Sequence, residues 1–218
     1  MDSNSERTSS PRSAEDTADF HPLDRFNAFS DGVFAIVITL LVLELPVPPE
    51  GVPLLPALAE SWPDFLGYAI SFAFVGGIWL SHAALTKYLK RGDAVSFRLN
   101  LVLLLFVSLL PFSTHLMVLH MAGEGTREAV TVYGVNLFLA SGMITALLNY
   151  AAHDRYLVVD DVDDDKVIRA YRRRRNYLIL IAVSILVGLI APVIALGFYI
   201  ALALGFIVQP LIGMRRKR

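Results

Sequence analysis

Apolar residues recur along this chain in runs of near-bilayer length, separated by short polar, charged or proline-rich segments. Six runs stand out, about Arg25–Leu45, Pro63–Leu85, Phe97–Leu119, Ala129–Ala152, Arg175–Ala191 and Pro192–Ile212. Each approaches the roughly 20 residues that a helix needs to cross a bilayer. The last two form one continuous apolar stretch, too long for one crossing at ~1.5 Å per residue. Pro192 lacks the amide proton that a continuous helix would use, so a turn near Gly188–Pro192 divides the stretch. The pattern predicts an all-α membrane protein with six transmembrane helices over residues 23–214. Residues 1–22, rich in Ser, Thr, Asp and Glu, lack the apolar core of a secretory signal and read as a disordered tail.

Loop charges orient these spans. Lys87, Lys90 and Arg91 follow the second, Arg169 and Arg172 to Arg175 precede the fifth, and Arg215, Arg216, Lys217 and Arg218 end the chain. The alternate loops hold a single basic residue, Arg127, and several glutamates. The positive-inside rule puts the basic segments, both termini included, in the cytoplasm of a cell whose plasma membrane the chain crosses. Residues 1–22 then form a cytoplasmic tail and 215–218 a basic cytoplasmic end.

Composition removes several function classes. A formal net charge of −1 gives no electrostatic reason to expect nucleic acid as a partner. The absence of cysteine excludes disulfides and thiolate metal sites. Asp161, Asp163 and Asp165 alternate as in a calcium loop, but the segment lacks the glycine and the closing glutamate such a loop requires. It reads instead as a solvated acidic run beside a basic one, with no fixed metal. No phosphate-binding loop, catalytic triad spacing or dinucleotide fingerprint is present, so neither an enzyme nor a cofactor is expected. His115 and His120 read as interfacial, and Gly76 and Gly77 as allowing close helix packing.

The first span, "RFNAFSDGVFAIVITLLVLEL", carries the chemistry. On a helix turning ~100° per residue, Ile36, Leu40 and Leu43 lie within ~60° of one another, and Thr39 flanks them. Asp31 lies ~140° from Ile36, so the stripe and the acid need different partners. An acid inside a membrane helix is expensive and is normally kept for a purpose. Trp79 and His82, three apart on the second span, and Asn100 on the third lie at a similar depth. A carboxylate accepting bonds from imidazole, indole and Ser30 or Asn100 would tie three helices together. The competing reading makes Asp31 and His82 a proton relay. The stripe likewise has two readings: an ordinary lipid-facing or core surface, or a pore lining of hydrophobic constrictions with one hydroxyl.

The same stretch closely resembles the first-helix signature of the transmembrane protein 175 potassium channel family, whose Arg-x-x-x-Phe-Ser-Asp motif matches Arg25, Phe29, Ser30 and Asp31. The resemblance extends to "WLSHAALTKYLKRGD", "RLNLVLLLFVSLLPFSTHL" and the six-span layout. It implies a first helix that lines a central pore, with Ile36 at a hydrophobic constriction, Leu40 and Leu43 further along the lining, and permeant potassium near the Thr39 hydroxyl. It also implies that the motif residues, Trp79 and His82 hold the bundle together; Asn100 is added here. Animal members carry two six-span repeats and dimerise, so a single repeat implies a homotetramer. The chain has no "TVGYG" segment to supply a ring of backbone carbonyls, and a modest potassium preference follows. Proton conduction and kinase coupling of the animal members are not carried over. The expected function is a potassium-preferring cation channel in a lipid bilayer; the alternatives are a proton-coupled secondary transporter and a non-conducting scaffold.

Overall fold

The computed structural model describes residues 23–87, 89, 92–121, 123–153 and 164–215. These form eight helices: α1 (Leu23–Leu43), α2 (Leu54–Glu60), α3 (Trp62–Thr86), α4 (Ala94–Ser108), α5 (Leu110–Leu119), α6 (Thr126–His153), α7 (Asp164–Gly188) and α8 (Pro192–Arg215). The tail 1–22, the acidic positions 160–163 and residues 216–218 lie outside the described residues.

Local chemistry sets the boundaries. Pro46, Pro48 and Pro49 follow the end of α1, where proline cannot extend the amide ladder. Pro63 occupies the first turn of α3, where its missing N–H costs nothing. At the start of α4 the Asp93 carboxylate accepts from the Ser96 amide at 2.9 Å while the Ser96 hydroxyl accepts from the Asp93 amide at 3.0 Å, a reciprocal cap. α7 ends at Gly188 and α8 begins at Pro192, and the Ala191 amide closes the intervening turn on the Val187 carbonyl at 2.7 Å.

Two features differ from the sequence reading. The third span is interrupted at Leu109: Pro111 can give no amide to the Val107 carbonyl, and the chain restarts as α5. The short α2 lies in the loop between the first and second spans, and the Ser61 hydroxyl bonds the Ala57 carbonyl at its end (3.0 Å).

Helices cover all six predicted spans. Four segments, Leu23–Leu43, Trp62–Thr86, Ala94–Leu119 and Thr126–His153, are long and apolar enough to cross a membrane, while Pro192–Gly205 of α8 is a shorter apolar run. The first half of α7 holds Arg169 and Arg172 to Arg175, which lowers its apolar character.

α3 and α6 form the centre of the bundle. α6 packs on α3, α4, α5, α7 and α8, and α3 also meets α1 and α5; α1 lies at one side against α3, α4 and α5. Phe34, Phe74, Leu103, Met117, Tyr133 and Tyr199 are among the fully buried side chains. In lipid a leucine gains little by leaving one apolar phase for another, so close packing and interhelical hydrogen bonds specify the arrangement. Gly134 shows the packing term. A Cβ there would lie 2.1 Å from the Tyr199 hydroxyl oxygen and 2.8 Å from Ile185, so only glycine lets α7 and α8 approach α6 this closely.

Candidate functional site: the two faces of the first helix

α1 buries one edge only. Phe26, Ser30, Phe34, Val37 and Leu41 recur every three or four residues and face α3, α4 and α5. Phe34, Val37 and Leu41 are each 1% exposed, whereas Ile36 is 59%, Leu40 41% and Leu43 76% exposed. The stripe of Ile36, Leu40 and Leu43, with Thr39 exposed beside it, therefore turns away from its own subunit. Thr39 donates its hydroxyl proton to the Ile36 carbonyl at 2.8 Å. Its one donor is thereby used inside the helix, leaving the oxygen lone pairs for a cation or water.

The buried edge carries a hydrogen-bond chain through three helices. His82 of α3 bonds Asn100 Oδ1 of α4 at 3.0 Å, Asn100 Nδ2 donates to the Ser30 hydroxyl of α1 at 2.8 Å, and Ser30 donates to the Phe26 carbonyl at 2.9 Å. Because an amide oxygen only accepts, the bond assigns the proton to Nε2 of His82. The imidazole stacks on Phe26 with ring centroids 5.7 Å apart and tilts against Phe34 at 5.8 Å.

Asp31 stands outside this chain, which corrects the expected arrangement. Its carboxylate accepts the Trp79 indole N–H at 2.9 Å, and both residues are exposed in the single subunit. Among the described residues it makes no hydrogen bond to His82, Ser30 or Asn100. The reason is angular: Ser30 falls on the buried edge, and the ~100° step to Asp31 carries the acid to its margin, where only the long indole reaches. Arg25 and Phe29, the other motif residues, are exposed and enter neither set of bonds among the described residues; Phe29 is 57% exposed.

At the far end of α1, Glu44 pairs with His115 of α5 at 3.0 Å, and His120, just past α5, bonds the Leu116 carbonyl of that helix at 3.0 Å. Gly77 is buried, whereas Gly76 has open space where a Cβ would project.

Four polar contacts escaped the sequence reading. Ser71 meets the Thr114 hydroxyl at 2.7 Å and the Tyr133 hydroxyl at 3.1 Å in the centre of the bundle. Asn136 Nδ2 donates to the Ser113 hydroxyl at 3.0 Å. The Tyr150 hydroxyl of α6 donates to Asp93, tying the end of α6 to the start of α4. Burial alone would raise the Asp93 carboxyl pKa, but the bonds from Tyr150 and Ser96 outweigh it and hold the group below its ordinary value. The available signal was small polar residues inside apolar runs, as in "AISFAF" and "VNLFLA".

Comparison with known proteins gives consistent results. Residues 25–111, which span most of α1 and all of α2, α3 and α4, match the family described as endosomal/lysosomal potassium channel TMEM175. A potassium channel of Chamaesiphon minutus is 37% identical over 169 residues, covering 73% of this chain and 83% of that protein. The crystal structure of a lysosomal potassium-selective channel TMEM175 homolog from the same genus and species superimposes with a TM-score of 0.76 at 31% identity, over 85% of this chain and 96% of that one. The bovine endosomal/lysosomal proton channel TMEM175 is 41% identical over 112 residues, which cover 44% of this chain and 23% of that protein.

Proposed function

The chain belongs to the TMEM175 family of channels, and from that premise we propose that it is a potassium-preferring cation channel whose pore is lined by α1 of four subunits. The observation that carries this reading is the division of α1, with one edge packed into its own subunit and the stripe of Ile36, Leu40 and Leu43 turned away from it. Four such stripes around an axis enclose a narrow apolar passage. An ion passing the Ile36 ring sheds water without receiving polar ligands, so that ring is the main barrier to conduction. Thr39, with its oxygen facing outward, supplies a ligand close by. With side-chain hydroxyls in place of a carbonyl filter, preference for potassium over sodium is modest.

In this reading all six helical segments cross the plasma membrane and both termini are cytoplasmic, as the loop charges require. The hydrogen-bond chain from His82 to Ser30, with the Asp31–Trp79 bond beside it, fixes the angle of α1 and so the aim of the stripe. A proton-coupled transporter using Asp31 and His82 has less support, because the imidazole is committed to Asn100 and the carboxylate to Trp79.

Purified protein in planar bilayers under opposed potassium and sodium gradients tests the proposal. Ile36→Asn should raise current and weaken potassium preference, whereas Thr39→Val should erode preference with less effect on rate. Unchanged currents and ion preference for Ile36→Asn in an intact tetramer would defeat the pore assignment.

A further inference from the structure

Arg25 is the residue that the hydrogen-bond chain leaves unexplained. It is exposed, and among the described residues no acid pairs with it. Its position around the helix is informative. It lies about 20° off the line of Ile36 and, about five full turns before Leu43, on the line of that residue. Its neighbour Asp24 is turned away by ~100° and Asp31 by ~120°. Along the axis its Cα is ~16 Å from that of Ile36, on the side that the basic loops assign to the cytoplasm. Between the two, Gly32 presents no side chain and has open space around it, while Phe29 is the bulky residue on the same face.

We propose that Arg25 places a ring of four guanidinium groups at the cytoplasmic mouth of the pore, an electrostatic barrier that limits cation entry from that side. The inference rests on the reading of α1 as the pore lining. A guanidinium stays charged at every accessible pH, so the ring is a fixed charge rather than a titrating one. Low-dielectric walls focus its potential into the mouth, lowering the local cation concentration and raising that of anions. Potassium leaving the cell meets the basic ring before it reaches the Ile36 constriction, so conductance is smaller outward than inward in symmetric salt.

Ionic strength separates this role from a structural one, because the Debye length falls from ~30 Å at about 0.01 M salt to ~3 Å at about 1 M. In bilayers containing intact tetramers, Arg25→Gln should raise outward potassium current about three- to tenfold at about 0.01 M potassium chloride and less than about 1.5-fold at about 1 M. Arg25→Lys, which keeps the charge, should stay near wild type at both. The chain has no cysteine, so Arg25→Cys can also be modified after assembly. A methanethiosulfonate carrying an ammonium group, applied from the cytoplasmic side, should return the current to wild-type size; one carrying a sulfonate should raise it further. The proposal is overturned if the Arg25→Gln gain persists at high salt, if Arg25→Lys behaves like Arg25→Gln, or if both reagents leave the current unchanged. In those cases a persisting effect of Ile36→Asn leaves the pore reading intact, whereas its loss removes both.

Discussion

Replacing Asn100 with leucine removes the centre of the buried hydrogen-bond chain while roughly keeping its volume. Two bonds are lost, the one from His82 at 3.0 Å and the one to Ser30 at 2.8 Å. Their consequences differ. Ser30 keeps its bond to the Phe26 carbonyl, so its proton stays satisfied, whereas the Nε2 proton of His82 is left without a partner. His82 is only 1% exposed, and water cannot take the place of the amide. An orphaned buried donor costs about 1–3 kcal/mol, and interhelical bonds in membranes measure nearer ~0.6–1.7 kcal/mol, so a loss of about 1–2 kcal/mol is expected. His82→Phe should cost a similar amount by orphaning Asn100 Oδ1, because a phenyl ring fits the slot between Phe26 and Phe34. The double variant leaves neither partner orphaned, and its loss should fall short of the sum by about 1 kcal/mol. Titrating the folded fraction in mixed micelles with a denaturing detergent measures all three. Additivity within about 0.3 kcal/mol would refute the claim that these side chains stabilise the bundle through each other.

Other expectations follow from single contacts. Gly134→Ala should destabilise the bundle by about 1–3 kcal/mol, because a Cβ meets Tyr199 and Ile185 and overpacks a tight crossing. Tyr199→Phe should be neutral or stabilising, since the Tyr199 hydroxyl is buried without a hydrogen-bond partner among the described residues; thermal melts in detergent check both. Asp93 has a folded-state pKa depressed below 3.8, so its contribution to stability is fully present above that pH and fades as pH falls through the lower folded value. Tyr150→Phe removes one cause of the depression and should shrink this acid-labile part, read as a smaller loss of melting temperature below pH 3.8. Cysteines placed at Lys87 and at Glu50 should react with impermeant reagents from opposite sides of the membrane, and labelling from one side would overturn the topology.

The helical segments were largely legible because length and apolarity decide them: the turn at Gly188–Pro192 follows from where proline cannot continue a ladder. Pro111 was an equally visible signal, yet the run around it is apolar enough to read as one span. Periodicity marked Ile36, Leu40 and Leu43 as one stripe of α1, but whether that stripe faced the core was decided only by packing, which buries Phe34, Val37 and Leu41 instead. Hydrogen-bond partners were less legible. Ser30, Asp31, Trp79, His82 and Asn100 were assigned to one neighbourhood from depth alone, but which of them bond depends on rotations of tens of degrees about each helix. That is how Ser30, rather than Asp31, came to receive Asn100. The contact of Tyr199 with Gly134 joins positions far apart in sequence, and no local pattern announces it.

The separation of the two edges of α1 has a consequence for inheritance. The residues that hold a subunit together and the residues on the outward stripe are different residues, so an altered stripe leaves the monomer able to mature. If four subunits assemble around α1 as proposed, such a subunit joins wild-type copies instead of being degraded, and in a cell carrying both alleles every mixed assembly contains the defect. Lesions on the stripe would therefore act dominantly and in proportion to dose, whereas lesions at Ser30, His82 or Asn100 would remove the subunit before assembly and behave as recessive.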